Sequence, residues 1–245
     1  MRTALISDTH GNAVALRAVL DELAQDGIEQ AVCLGDVAQG GPEPGACLDL
    51  VAGLGCPVVM GNADAFVLDP AAAENEPVSE RQLAVRNWTL AQLTPAQQAF
   101  MASFRPTVEV DLGDGRTLLA FHGTPRSNEE LVFPTTPEAE YRERLGALGH
   151  DLVAGGHIHL PYVRRIGAAQ FVNPGSVGLG YDHEQDETDL RFDPWAAYAI
   201  VTTGAGKLRI ELRRTPFDVG AVIRSISESG NPGADELVRG WSPRT

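Results

Sequence analysis

The sequence of 245 residues predicts an α/β fold. Three observations predict it. Short apolar runs alternate with helical stripes near the start of the chain, glycine and proline separate them, and apolar residues make up 43% of the sequence, enough for a sizeable core at this length.

Residues 3–7 read as a strand. Asn12 then stands as a helix N-cap before Val14, Leu16, Val19, Leu20 and Leu23, a stripe closed by Gly27. Residues 30–34 form a second apolar run, 43–54 a second helix and 57–60 a third strand, an order that points to parallel pairing. From Asp64 the composition turns to Ala, Glu and Pro. A helical pattern over 79–93 marks an inserted helical segment, about 65–105. Its last part, Thr94-Pro95-Ala96-Gln97, supplies a capping threonine, a proline at the first helical position and a capping-box glutamine.

Strands at 107–112 and 116–121 flank Gly113-Asp114-Gly115, read as a three-residue hairpin turn. A helix over 137–148 precedes short strands near Leu152, Tyr162 and Phe171. A second hairpin, 196–203 and 207–214, turns at Gly204-Ala205-Gly206 and leads to a helix over 217–229. Residues 1–230 are expected to form one domain. The tail, 231–245, with Pro232, Gly233, Gly240 and Pro243, is expected to pack loosely or fray.

Charge narrows the function. The 19 Lys and Arg against 33 Asp and Glu give a net charge of −14, and no basic run exceeds Arg213-Arg214. Nucleic acid, which demands basic stripes, is therefore not an expected partner. No stretch of 18 apolar residues exists and Ala4-Leu5-Ile6 is too short for a signal core, so no membrane role is expected and the cytoplasm is the expected location. Cys33, Cys47 and Cys56 are odd in number and lack a CxxC spacing, which suits a reducing compartment and argues against a thiolate metal site. Self-association is left open.

Five segments each place polar side chains just after an apolar run: Ser7-Asp8-Thr9-His10-Gly11-Asn12, Gly35-Asp36, Gly61-Asn62-Ala63-Asp64, Phe121-His122-Gly123-Thr124-Pro125 and Gly155-Gly156-His157-Ile158-His159. Ligand sites in open α/β sheets lie at the carboxyl ends of strands, so these loops can converge. In extended chain, residues two apart share a side, which would pair Asp8 with His10 and His157 with His159. Asp8, His10, Asp36, Asn62, His122, His157 and His159 supply nitrogen and oxygen donors without thiolate. That set suits manganese, iron or zinc, and it is large enough for two ions sharing a carboxylate.

In these residues the sequence resembles the calcineurin-like metallophosphoesterases, whose pattern runs D-x-H, GD, GN-[H], a later H and a final G-H-x-H. Leu34-Gly35-Asp36-Val37, Asn173-Pro174-Gly175-Ser176-Val177-Gly178 and Asp193-Pro194 extend the likeness, and together they look like the bacterial and archaeal small phosphodiesterase branch. The resemblance implies a four-layer αββα sandwich of two mixed sheets. It implies that Asp8, His10, Asp36 and His159 hold one divalent ion and that Asp36, Asn62, His122 and His157 hold a second, manganese first, with iron, zinc, nickel or cobalt as alternatives.

Two such ions can activate a bridging water as hydroxide and clamp a phosphoryl group, so the implied substrate is a small phosphoester, a diester favoured. Asp36 and Asn62 would act in that chemistry, while Asn12, Gly123, Asn173 and Ser176 would support the site or touch substrate. The free N–H groups of the helix at Asn12 would favour phosphate. One departure stands out: the histidine expected after Gly61-Asn62 is Ala63, which removes a proton donor typically worth about 10²–10⁴ in rate. Asp64 and His183 are candidates to replace it. The alternative is a scaffold of the same fold that lost catalysis and binds proteins, which a complete set of ligand positions argues against.

Overall fold

The computed structural model describes residues 1–73, 78–146, 149–182, 184–185 and 190–242. In chain order these give β1 (Arg2–Ile6), α1 (Ala13–Gln25), β2 (Gln30–Cys33), α2 (Pro44–Gly53), α3 (Asn62–Leu68), a 3₁₀ turn (Pro70–Ala72), α4 (Glu80–Gln92) and α5 (Pro95–Ala102). They continue with β3 (Thr107–Gly113), β4 (Arg116–Phe121), α6 (Glu138–Leu145), β5 (Leu152–Ala154), β6 (Tyr162–Ile166), β7 (Ala169–Asn173), β8 (Trp195–Gly204), β9 (Lys207–Pro216), α7 (Val219–Ser229) and α8 (Ala234–Trp241).

Two mixed sheets form, in the orders β2-β1-β8-β9 and β3-β4-β5-β7-β6. Parallel pairing is confined to β1 with β2 and to β4, β5 and β7, and antiparallel strands complete both sheets. Alternation along the strands sets the layers. Leu5, Val32 and Ala199 of one sheet meet Leu118, Leu152 and Val172 of the other in a single buried cluster, so the sheets lie face to face. On the opposite side Ala4, Ile6, Tyr198 and Ile200 pack against Leu16 and Val19 of α1 and Leu48 and Val51 of α2. Phe121, Val153 and Phe171 pack against Tyr141 and Leu145 of α6. The result is a helix–sheet–sheet–helix sandwich in which each fully buried aliphatic side chain contributes roughly 1.5–3 kcal/mol.

Four local expectations are corrected. The strand expected at 57–60 is only a pair of isolated bridges, Cys33 to Val58 and Val59 to Arg105. Cys33 bonds to Pro57 O and Val59 N at 3.0 and 2.9 Å on one side, and Arg105 to Met60 N and Val58 O at 2.7 and 3.1 Å on the other, so each neighbour pairs at a single residue and no ladder forms. The first hairpin turns on two residues, Asp114 and Gly115, with φ of 58° and 71° and Gly113 paired to Arg116. Positive φ at both positions matches the strand twist, so Gly113 stays in the strand. The helix expected over 137–148 ends at Leu145 because Gly146 turns away at φ 70°, and positions 147–148 lie outside the described residues.

The tail is helical, not frayed, over α8. Leu237, Val238 and Trp241 join Val222 and Ile226 of α7 in an apolar cluster, and Asn231 ties the segment down by donating to Gly40 O at 3.1 Å. Among the described residues, no helix is long and apolar enough to cross a membrane.

Candidate metal centre

Asp8 follows β1, Asp36 follows β2, His122 follows β4, and His157 and His159 follow β5, while Asn62 opens α3. The segments are not extended. Asp8, His10, Asp36, His157 and His159 have φ of 54°, 45°, 55°, 70° and 56°, the left-handed region that side chains other than glycine rarely occupy. The pairs two residues apart therefore meet through kinked backbone and not through strand alternation, which corrects the sequence argument. Such residues cost of order 1–3 kcal/mol each and persist only where the surroundings hold them. Here Asp8 N donates to Gly35 O (3.0 Å), His10 N to Asp36 O (2.9 Å) and Gly11 N to Val37 O (2.9 Å), locking the first two loops together.

Close approach of backbones completes the lock. A Cβ at Gly61 would lie 2.0 Å from Asp36 Oδ1, and one at Gly156 would lie 2.1 Å from Ser7 Oγ and 2.9 Å from Asp8 Oδ2. Gly61→Ala is expected to displace Asp36 and weaken manganese binding about 10–100-fold, the usual range when support around a metal ligand is lost. Equilibrium metal titration of the folded variant checks this, and unchanged affinity contradicts it.

Two clusters result. In the first, ligand atoms of Asp8, His10 and His159 lie within 4.8 Å of one another, and in the second those of Asp36, His122 and His157 do. His10 Nε2 is 3.0 Å from His159 Nε2, which is itself 3.2 Å from Asp8 Oδ1. Asn62 Oδ1 joins the second cluster, 3.0 Å from His122 Nε2. Asp36 Oδ2 stands 3.4 Å from His122 Nε2 and 3.6 Å from His10 Nε2, so one oxygen reaches both clusters.

The donors fit divalent ions. Two nitrogens bound at right angles to one ion at about 2.1 Å are about 3 Å apart, the separation of His10 from His159. Asp8 Oδ1 is buried with no hydrogen-bond partner, an acceptor left for a cation. The imidazoles are also oriented from behind. Nδ1 of His10, His122 and His159 faces the carbonyls of Gln39 (2.7 Å), Leu34 (2.6 Å) and Leu179 (2.6 Å), so each donates there and turns Nε2 toward the cluster. His157 is reversed, its Nε2 bonded to Glu129 O at 3.1 Å.

Charge is finely divided. Burial opposes ionisation of Asp8 and Asp36, yet His159 beside the one and His122 beside the other hold both below the usual carboxylate range. Burial also disfavours protonated His122, but Asp36 and Asp8 outweigh it and raise its pKa to about 9. For His157, burial and the charge of His122 act together and lower it to about 4. The centre therefore offers two carboxylates and an imidazole that stays neutral at ordinary pH.

The remaining site candidates hold loops. Asn12 Oδ1 accepts from Ala15 N (3.0 Å) and its Nδ2 donates to Gly178 O (3.0 Å). Asn12, Ala13 and Ala15 are buried, and the start of α1 is capped by the Asn12 side chain. Asn173 Nδ2 donates to Gly156 O (2.6 Å), and Ser176 Oγ donates to Asp8 O (2.7 Å). Gly123 is packed against the carbonyls of Glu130 and Ser127.

Asp64 is corrected as a proton donor. It is fully buried, and its carboxylate accepts from Val37 N and Ala38 N at 3.0 and 3.2 Å, behind the Asp36 loop and away from the cleft. Burial and the negative charge of Asp36 raise its pKa to about 7. His183 lies outside the described residues. Ala63 donates its N–H to Asp36 Oδ1 (2.9 Å) and lines a cavity of about 360 Å³ with Asn62, Phe66, Glu129, Leu131 and His157. The orienting carbonyls of Leu34, Gln39, Glu129 and Leu179 were invisible in the sequence, because main-chain atoms leave no mark on residue identity.

Comparison with known proteins places this geometry. Residues 1–193 match the profile of the calcineurin-like phosphoesterase superfamily domain. An uncharacterised protein of Methanocaldococcus jannaschii, MJ0912, is 29% identical over 246 residues, covering 94% of this chain and 93% of its own length. A metallophosphoesterase from Sphaerobacter thermophilus is 26% identical with a TM-score of 0.75, covering 98% of each chain. PH1004 from Pyrococcus horikoshii shares the fold at a TM-score of 0.81 and 18% identity, with 99% of each chain covered. With its paired clusters at the strand ends of a double-sheet sandwich, the chain belongs to the calcineurin-like phosphoesterase superfamily and is a metal-dependent phosphoesterase.

Proposed function

We propose that the chain hydrolyses phosphodiesters of small molecules with two divalent ions, manganese being the first to test, within a single catalytic domain over 1–230. The observation that carries this reading is the reach of Asp36 Oδ2 to imidazole nitrogens of both clusters, 3.4 and 3.6 Å away. Asp8, His10 and His159 would hold one ion and Asn62, His122 and His157 the other, with Asp36 shared. When bound, such ions lower the pKa of water and neutralise charge on phosphoryl oxygens. The chain's own part is positioning: four main-chain carbonyls aim the imidazoles, and Ala63 N–H holds Asp36 in place. The missing histidine at Ala63 leaves the departing oxygen to take its proton from solvent, which favours good leaving groups.

The cavity beside Asn62 and His157 supports a diester. No Lys or Arg lines it among the described residues, and Phe66, Leu131 and Val78 give it an apolar wall. A phosphomonoester carries nearly two charges at neutral pH, whereas a diester carries one and brings a second organic group to cover such a wall. The test is hydrolysis of an aryl phosphodiester and the matching monoester by chelated protein after manganese is restored. The expected kcat/KM for the diester is about tenfold higher or more; equal or reversed values overturn the preference.

A further inference from the structure

A second cavity of about 490 Å³ adjoins the first and shares Gln39 and Gln82 with it, so the two form halves of one cleft. It begins beside the first ligand cluster: Gly40 lines it, and a Cβ there would lie 3.4 Å from His10 Nδ1. Its far wall, with Asn231, Leu237 and Arg239, comes from α8 and the turn before it, beyond residue 193 where the superfamily match ends. The near wall is α4. The Arg81–Glu236 ion pair joins the two helices at the mouth. One wall of this half of the cleft is therefore built by a segment beyond the matched residues, and the other by α4 within them.

Its chemistry is mixed in a definite way. Val85, Phe192 and Leu237 supply an apolar floor, and the amides of Gln39, Gln82 and Asn231 stand around it. The Oε1 of Gln39 is buried with no hydrogen-bond partner, an acceptor that a ligand donor can satisfy. Arg81 and Glu236 neutralise each other and Arg239 adds one positive charge to the wall, so the lining disfavours a cationic occupant. The volume lies in the ordinary range for small-molecule sites.

We propose that this cavity binds one of the two organic groups of the phosphodiester, and that its occupant is a planar, uncharged heteroaromatic group with hydrogen-bonding edges, of the nucleobase type. The assignment rests on the diesterase reading for its place in catalysis. An aliphatic chain would cover the floor but leave Gln39 unpaired, and a sugar would set its hydroxyls against Phe192 and Leu237. A flat ring with polar edges meets both demands.

Adenosine, which carries no phosphate, tests the pocket apart from the chemistry. Calorimetric titration of the full chain with adenosine, with and without chelator, is expected to give saturable binding that does not depend on metal. Leu237→Trp and, from the opposite wall, Val85→Trp should each weaken it at least tenfold, with circular dichroism and melting establishing that the variants fold. In hydrolysis, the ratio of kcat/KM for an aryl ester of adenosine 5′-monophosphate to that for methyl aryl phosphate should fall at least tenfold in both variants. No saturable binding at millimolar adenosine, or binding that both folded variants retain in full, overturns the pocket. Hydrolysis of the methyl ester without adenosine binding removes the pocket and leaves the diesterase reading intact. Adenosine binding without metal-dependent hydrolysis of either ester does the reverse.

Discussion

Asp36→Asn should lower manganese-dependent phosphodiester turnover by about 10³-fold or more, on the scale of losing a preorganised charge at a reacting centre. Asp36 reaches both clusters with a single oxygen, Oδ2 at 3.4 Å from His122 Nε2 and 3.6 Å from His10 Nε2, whereas Asp8 Oδ1 stands 4.0 Å from His122 Nε2. Asparagine keeps the shape and tolerates the φ of 55° at this position, and its side-chain oxygen can still accept from Ala63 N–H. What is lost is one negative charge.

That loss also removes a favourable pairing. Burial and the nearby Asp8 and Asp64 oppose ionisation of Asp36, yet His122 beside it holds its carboxyl below the usual range. The Asp36 charge therefore stabilises the metal-free fold at neutral pH, and that stability is lost as pH falls below the ordinary carboxylate range. The chelated variant should stay folded but melt below wild type at neutral pH, with the gap closing in acid. Retention of full activity contradicts the shared-ligand role; a melting temperature at or above that of wild type contradicts the charge account.

Ala63→His should raise turnover of diesters with poor, alkyl leaving groups by about 10²-fold and leave aryl diesters nearly unchanged. The position is at the start of α3, between Asn62 and the buried Asp64, and its side chain lines the cavity at Asn62 and His157. A histidine there gains space without displacing Asp64 from the N–H groups of Val37 and Ala38. Comparing kcat/KM across a leaving-group series reads the effect as a flattened dependence on leaving-group pKa. A rise shared equally by aryl and alkyl esters points to binding rather than proton donation, and no rise means another group already protonates the leaving oxygen.

Much of this architecture was legible in the residues. Asn12 capping α1 and the double capping boxes at Ser79 and Thr94 are local chemistry, and they set helix starts where the sequence puts them. The five polar segments converge because each follows a strand or bridge at one edge of the sandwich. The pairing of β8 with β1, by contrast, joins residues about two hundred positions apart, and no local pattern encodes it.

Two errors share one cause. Treating Asp8 and His10 as extended chain ignored the left-handed backbone that main-chain bonds between loops impose. Treating Asp64 as a cleft residue ignored that α3 begins at Asn62 and turns the next carboxylate inward, onto the Asp36 loop. In both places tertiary contacts decide direction. The tail was misread for a related reason: its Gly and Pro suggested looseness, whereas the face made by Leu237, Val238 and Trp241 finds a partner in α7.

The measurement that tests the central claim most directly is turnover of an aryl phosphodiester followed against manganese bound per chain, starting from chelated protein. The two-cluster centre predicts little activity with one ion bound and a rise that saturates at two per chain. Saturation at one ion, or a folded chain that binds two and hydrolyses nothing, contradicts it.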